Sequence, residues 1–163
     1  MRRLLTNSFG FESNCWVCEP TNPVGLHVPF HHDDEAHTVT AVLRFDANHS
    51  GAPNLVHGGL LAALCDDAMA WASIAEARRF ALTAETRLSY LVPVPVGQEI
   101  TVTARLIGRH GSQVWLIAEV RSGDTVCVRA ESRARVVGGE LARDAGVTTS
   151  SDGTVPGSGA DSG

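Results

Sequence analysis

Lysine is absent from this 163-residue sequence, and all 13 of its basic residues are arginine. Against them stand 18 acidic residues, so the formal net charge is −5, which argues against a surface for general nucleic-acid binding. Only four cysteines are present, too sparsely spaced for the disulfide framework of a small secreted protein. We therefore expect no nucleic-acid partner and reduced interior cysteines.

The sequence also lacks a long apolar run free of charge. Its most apolar stretch, residues 60–77, carries Asp66, Asp67 and Glu76, and charges are costly at the depth of a bilayer. The first five residues resemble the charged start of a signal peptide, but polar residues follow at once. We expect no export signal, no membrane partner and a cytoplasmic location.

The composition, 44% hydrophobic and 19% charged, is typical of one globular domain. Residues 1–35 are rich in turn-forming residues and predict a lead-in packed on the domain, with one short strand near residues 26–30. Residues 36–138 carry the periodic segments of the domain proper. Residues 139–163 are rich in Gly, Ser and Thr and predict a disordered tail.

Hydrophobic periodicity predicts one helix and several strands. The apolar, proline-free stretch 58–79 indicates a helix buried on most of its surface, and residues 38–45 indicate a strand before it. Four further strands are predicted near residues 81–92, 98–108, 112–121 and 125–137. Their short linkers favour antiparallel hairpins, that is, a meander. The fold class is thus α+β, a curved antiparallel sheet wrapped around one long central helix.

The helix begins with two consecutive glycines, Gly58 and Gly59, directly after His57. Each glycine inside a helix lowers its stability by about 1 kcal/mol relative to alanine. Two glycines at this position therefore indicate that another group approaches the backbone closely there. Free amides at a helix N-terminus suit a carbonyl oxygen that becomes negative during a reaction. A glycine turn that merely lets the chain enter the helix is the alternative.

Two neighbouring acids, Asp66 and Asp67, lie among apolar residues of the same helix. Burying a carboxylate there costs several kcal/mol unless it is paired or solvated in a cavity. Adjacent helix residues diverge by about 100°, so the two carboxylates cannot point the same way. One is expected to face a pocket and the other an interface or water; alternatively, both lie on a solvated or interface stripe and bond to arginines such as Arg78 or Arg87.

His57, Gly58, Gly59, Asp66 and Asp67 lie in a segment that resembles part of a known protein family. Residues 51–70, GAPNLVHGGLLAALCDDAMA, resemble the active-site segment of hotdog-fold acyl-CoA thioesterases of the PaaI-like branch of the 4-hydroxybenzoyl-CoA thioesterase superfamily. Residues 83–97 are similar to the strand that follows the helix in that branch, and the Cys15-x-x-Cys18 region resembles a lead-in of bacterial members. The resemblance implies the hotdog fold and hydrolysis of acyl-CoA to free acid and coenzyme A, without a cofactor. It also implies a homodimer as the minimum, pairing further into a homotetramer.

The resemblance also implies roles for single residues. The Gly58 amide would hold the thioester carbonyl oxygen, and Asp66 from the partner subunit would act as general base or nucleophile. His57 would organise the loop, and Thr83 would help to position the water or the acid. Candidate substrate-binding residues are Gly59, Asn54, Leu61 and Trp71. Some family members carry an asparagine six residues before the histidine, where this chain has Gly51.

The Cys15-x-x-Cys18 pair stands alone in the sequence. A structural zinc site needs two more ligands at close spacing, and the sequence does not determine whether the nearby histidines His27, His31, His32 and His37 have the geometry to supply them. We expect the pair to be packing or loop residues and expect no metal site, with a zinc site and redox chemistry as the two alternatives.

Two other functions remain open on the same fold. A non-catalytic acyl-CoA-binding or sensor protein would not need a buried acid in the helix, so Asp66 argues against it. A hydratase or dehydratase acting on acyl thioesters would need a histidine and an acid near the reacting carbons, and its sequence signatures are absent here. The fold alone does not separate these functions.

Overall fold

A computed structural model describes residues 1–7, 13–138 and 140–144. The strands are β1 Arg2–Leu4, β2 His31–Asp33, β3 Thr38–Arg44, β4 Ser50–Ala52, β5 Leu55–Val56, β6 Ala81–Tyr90, β7 Glu99–His110, β8 Gln113–Ser122 and β9 Thr125–Val136. The helices are α1 Gly58–Ala72, which continues into a π-helical turn Ser73–Ala77, and a short α2 Glu140–Asp144. A 3₁₀ turn, Ala47–His49, precedes β4.

One antiparallel sheet wraps around α1. Its strand order, within the described residues, is β1-β2-β3-β7-β8-β9-β6, and β4 pairs with β5 separately. Helix α1 contacts five strands of the large sheet, β3, β6, β7, β8 and β9. The predicted architecture, one long central helix in a curved antiparallel sheet, is confirmed.

The core lies between α1 and the inner face of the sheet. Strand β8 shows the alternation that fits this position, because every second side chain from Val114 to Val120 is buried. From the helix, Leu64 and Met69 are fully buried against this face. Apolar residues lie almost all round α1 because the sheet covers most of the helix.

The predicted meander of four strands is wrong at its first member. Strands β7, β8 and β9 form the expected hairpins, but β6 pairs with β9 and not with β7. The connection from β6 to β7 holds Pro93 and Pro95 and runs past the start of α1, where the Val94 carbonyl accepts the Val56 amide at 2.8 Å. Because this connection pairs with the β5 region, it does not turn back as a hairpin, and β6 lies at the edge of the sheet.

The prediction of a strand near residues 26–30 is also wrong in its position. The observed strand, β2, begins directly after this segment, at His31. Residues 26–30 run alongside residues 16–17 through the amides of Leu26 and Val28. His27 adopts a left-handed conformation (φ 53°) and Pro29 has no amide proton, so regular pairing is broken there. Within the predicted tail, α2 forms a short helix, whereas residues 139 and 145–163 lie outside the described residues.

The helical segment Gly58–Ala77 is, by length and composition alone, apolar enough to cross a membrane. Half of the most apolar 18 residues of this segment are buried inside the domain, as in the core helix of a globular protein. Its last acid, Glu76, lies on the π-helical turn and contacts the buried side chain of His32, with His37 Nδ1 at 2.9 Å. The Glu76 carboxylate is therefore partnered within the domain.

Replacing Leu64 by alanine is expected to lower the free energy of unfolding by about 2–5 kcal/mol, because the enclosed helix leaves a cavity that the sheet cannot fill. Leu64 is 0% exposed, whereas Val24 is 76% exposed. Urea unfolding followed by circular dichroism checks this, with Val24→Ala as the control at less than about 0.5 kcal/mol. Equal losses in the two variants would contradict the central position of α1.

Candidate active site

The first turn of α1 leaves one backbone amide free. His57 is the N-cap residue, and its Nδ1 accepts the Gly59 amide at 2.9 Å, while the His57 carbonyl accepts the amides of Leu60 and Leu61. Among the described residues, the amide of Gly58 has no hydrogen-bond partner. The free amide lies at the positive end of the helix dipole, where an oxygen with negative charge is stabilised.

Tyr90, at the end of β6, holds the same glycine from the other side. Its hydroxyl donates to the Gly58 carbonyl at 2.9 Å, and a Cβ on Gly58 would lie 3.3 Å from the tyrosine ring. The ring therefore fixes the position of the Gly58 peptide. No local pattern in the sequence predicts this contact, because 32 residues separate Tyr90 from Gly58 and only the fold brings them together.

Close packing against His57 accounts for the glycine at position 51, where some family members have asparagine. A Cβ at Gly51 would lie 2.8 Å from both Cα and Cδ2 of His57, closer than real Cβ atoms come. The His57 backbone amide, in turn, donates to the His49 carbonyl at 2.9 Å. The absence of a side chain at position 51 lets the β4 segment pack directly against the capping histidine.

The side chains of Asp66 and Thr83 are in direct contact. The Thr83 hydroxyl donates to Asp66 Oδ1 at 2.8 Å, and both residues line a cavity. A β-bulge between Thr83 and Glu85 interrupts the register of β6 with β9 next to this contact. Bulges re-aim side chains at strand edges, so the bulge accounts for the direction of the threonine towards α1.

Asp67 lies against the two lead-in cysteines and not against an arginine. Cys15 Sγ is 3.3 Å from Asp67 Oδ1, while Oδ2 is buried without a hydrogen-bond partner. Burial, with the nearby Cys15, raises the pKa of the Asp67 carboxyl to about 8. A hydrogen bond from Cys18 lowers the pKa of the Cys15 thiol, and the same bond with burial raises the pKa of Cys18.

A cavity of about 620 Å³ opens beside these acids. It lies between the lead-in, the middle and end of α1, and the start of β6. Apolar side chains form most of its wall, among them Leu5, Val28, Phe30, Trp71, Ile74 and Leu82. A largely apolar cavity with a few polar groups at one side suits a ligand with an apolar body and a polar reacting group.

The predicted site residues fall into two separate groups, one at the start of α1 and one further along it. Asp66, Thr83 and Trp71 line the cavity, whereas His57 and Gly58 are at the helix start. Asp66 follows Gly58 by eight positions along α1, a rise of about 12 Å, so the Gly58 amide and the Asp66 carboxylate of one chain cannot both reach the same substrate atom.

Three other candidates lie apart from the cavity. The Gly59 amide is occupied by His57, Asn54 lies in the turn between β4 and β5 with φ 62°, and Leu61 is buried in the core. None of the three is among the residues that line the cavity.

A sequence profile of the thioesterase superfamily matches residues 53–116. The match spans the start of α1, the whole helix, β6 and β7. The sheet and central helix of this chain agree with those of a solved thioesterase superfamily protein. The fold is the hotdog fold. Among curated proteins, no sequence matches this chain.

Solved structures similar to this hotdog domain include a thioesterase superfamily protein with a TM-score of 0.68 and 25% identity, covering 72% of this chain and 61% of that protein. This chain therefore spans less than two thirds of that relative's length. The PaaI protein of the phenylacetic acid degradation operon of E. coli has a TM-score of 0.59 and 19% identity, covering 63% and 75% of the two chains. A Streptococcus mutans protein bound to acetyl-CoA has a TM-score of 0.59 and 18% identity, covering 63% and 82%.

Replacing Gly51 by alanine is expected to lower the free energy of unfolding by about 1–3 kcal/mol, because the new methyl group collides with the His57 backbone. Gly108→Ala is the matched control, since a Cβ there meets nothing within 4 Å. Thermal unfolding of both variants checks the prediction. If Gly51→Ala were as stable as Gly108→Ala, the close packing of Gly51 on the cap would be refuted.

Proposed function

We propose that this protein is an acyl-CoA thioesterase of the PaaI-like kind, which hydrolyses an acyl-CoA to the free acid and coenzyme A. The observation that carries the proposal is the free Gly58 amide at the start of α1, together with Asp66 at the wall of an apolar cavity. The superfamily profile over residues 53–116 supports the same class of reaction.

In the proposed reaction, the carbonyl oxygen of the thioester lies at the Gly58 amide. Asp66 takes a proton from a water molecule, whose oxygen attacks the carbonyl carbon; alternatively, the carboxylate attacks directly. The negative charge that develops on the oxygen is stabilised by the amide and the helix dipole. The C–S bond then breaks, and the coenzyme A sulfur leaves and takes up a proton. This scheme requires no metal ion and no organic cofactor.

The Thr83 hydroxyl orients the acid for this role. It occupies Asp66 Oδ1, and within the described residues Oδ2 has no protein partner. One carboxylate oxygen is thereby fixed while the other is left for the water. The apolar cavity beside Asp66 would take the acyl chain.

The proposed site needs two subunits, because Gly58 and Asp66 of one chain are too far apart. Strand β6 offers the means of association: it lies at the edge of the sheet, and most of its ten residues are exposed. Leu82 and Tyr90 on it are 43% and 55% exposed. A long, exposed edge strand with apolar residues is a surface with which a second copy can pair.

The positions of two contacts along β6 support this arrangement. Thr83, which holds Asp66, is near one end of the strand, and Tyr90, which holds Gly58, is at the other. If two copies of β6 pair antiparallel about a twofold axis between Thr86 and Arg87, Thr83 of one copy lies opposite Tyr90 of the other. Asp66 of one subunit then comes near Gly58 of its partner, twice in each dimer.

One of the similar structures supports a coenzyme A substrate. The Streptococcus mutans protein of the same fold was solved with acetyl-CoA bound. Which acyl chain fits here depends on the cavity, and one methylene group changes discrimination by only about 1–3 kcal/mol. A panel of short, medium, long and aromatic acyl-CoAs is therefore the proper substrate test.

Asp66→Asn is expected to lower kcat by about a hundredfold or more, the size of effect for a lost positioned base. Release of the coenzyme A thiol from the panel measures it, with Asp124→Asn as the control on the exposed turn before β9. The control is expected to match the wild type. If the wild type binds an acyl-CoA but releases no thiol, the sensor function replaces the thioesterase.

A mixing experiment tests whether two subunits share each site. Gly58→Pro removes the free amide, and proline is well tolerated at the first helical position after an extended residue such as His57 (φ −62°, ψ 128°). Gly58→Ala, which keeps the amide, is the matched control and is expected to lose far less activity. Random co-assembly of Gly58→Pro with Asp66→Asn chains should restore about a quarter of wild-type activity, since one site of each mixed dimer is intact. No recovery, with mixed dimers present, would contradict the shared site.

A further inference from the structure

Cys15 and Cys18 lie in one turn of the lead-in, and both are free, half-buried cysteines. The Cys15 carbonyl accepts the Glu19 amide at 3.2 Å, which closes the turn. The thiolate, and not the thiol, is the form that binds a metal ion.

Asp67 supplies a third donor that the sequence did not reveal, because 52 residues separate it from Cys15. One donor atom from each of Cys15, Cys18 and Asp67 lies within 4.8 Å of the other two. The Cys15 Sγ and Asp67 Oδ1 atoms are 3.3 Å apart. Sulfur and oxygen ligands of a tetrahedral zinc ion, bound at about 2.3 and 2.0 Å, lie about 3.5 Å apart.

The surroundings of the cluster match those of a metal site. Asp67 Oδ2 is buried without a hydrogen-bond partner, a cost that an ion bound to the carboxylate would remove. All three donor residues line the cavity, so a water molecule from the cavity can complete four ligands.

We propose that Cys15, Cys18 and Asp67 bind one Zn²⁺ ion, with a water molecule from the cavity as the fourth ligand. Two sulfur donors favour zinc over the oxygen-binding ions magnesium and calcium. Binding exchanges the protons of the donors for the ion and involves no electron transfer. The ion would fasten the lead-in to α1 directly beside Asp66, and so fix one wall of the cavity.

This proposal does not depend on the proposed thioesterase activity, because its readout is bound metal. The reduced wild-type protein, purified from zinc-supplemented cultures without a metal-affinity tag, is expected to hold about one zinc per chain by elemental analysis. Cobalt exchanged into it should show the near-ultraviolet absorption of cobalt–thiolate bonds. Removing the zinc with a chelator should lower Tm.

Cys15→Ser and Asp67→Asn are expected to lose most of the zinc. Cys127→Ser is the matched control, since Cys127 is a buried free cysteine on β9 outside the cluster. It should keep the full zinc content, and circular dichroism verifies that each variant folds. The zinc content of the wild-type protein is measured without any variant, so this part of the test remains valid even if a variant does not fold.

Three results would overturn the proposal. The first is a reduced wild-type protein that takes up less than about 0.1 zinc per chain from excess ion. The second is a zinc content that survives in folded Cys15→Ser, or is lost equally in Cys127→Ser. The third is a native protein with Cys15 and Cys18 joined in a disulfide, shown by a mass two hydrogens lower and by peptide mapping.

Discussion

Enclosure of α1 by the sheet is the constraint on which the rest of this structure depends. A helix surrounded by strands contributes most of its length to the core, so every polar group that it carries must be partnered or face a cavity. At its first turn, the amides are satisfied by His57, except for that of Gly58. The exception coincides with the point where the oxyanion of the proposed reaction would lie.

The three acids of the helical segment meet the constraint in three ways. Asp66 accepts a hydrogen bond from Thr83 and lines the cavity, and Asp67 lies on Cys15 with one oxygen unpartnered. Glu76, on the π-helical turn, contacts two histidines from the β2 region. One sequence feature, an acid in an apolar helix, therefore has three different physical meanings, each set by the element packed opposite.

Strand β6 links both ends of the candidate site. Its bulge aims Thr83 at Asp66, and its last residue, Tyr90, holds the Gly58 peptide. The strand lies at the sheet edge because the connection to β7 runs past the start of α1 and pairs near β5. This connection prevents β6 from pairing with β7, as the predicted meander required. It thus leaves one edge of β6 unpaired, and the proposed site requires association of two subunits there.

The sequence by itself determined the helix, β3 and the three hairpin strands, because these follow from local periodicity and from short turns such as Gly123-Asp124. It also pointed to Gly58, Asp66 and Thr83 through their resemblance to known thioesterases. Only the tertiary structure decided the place of β6, the contact of Tyr90 with Gly58, and the meeting of Asp67 with Cys15. Those contacts join residues 32 and 52 positions apart, and no local pattern encodes which distant element covers a given side chain.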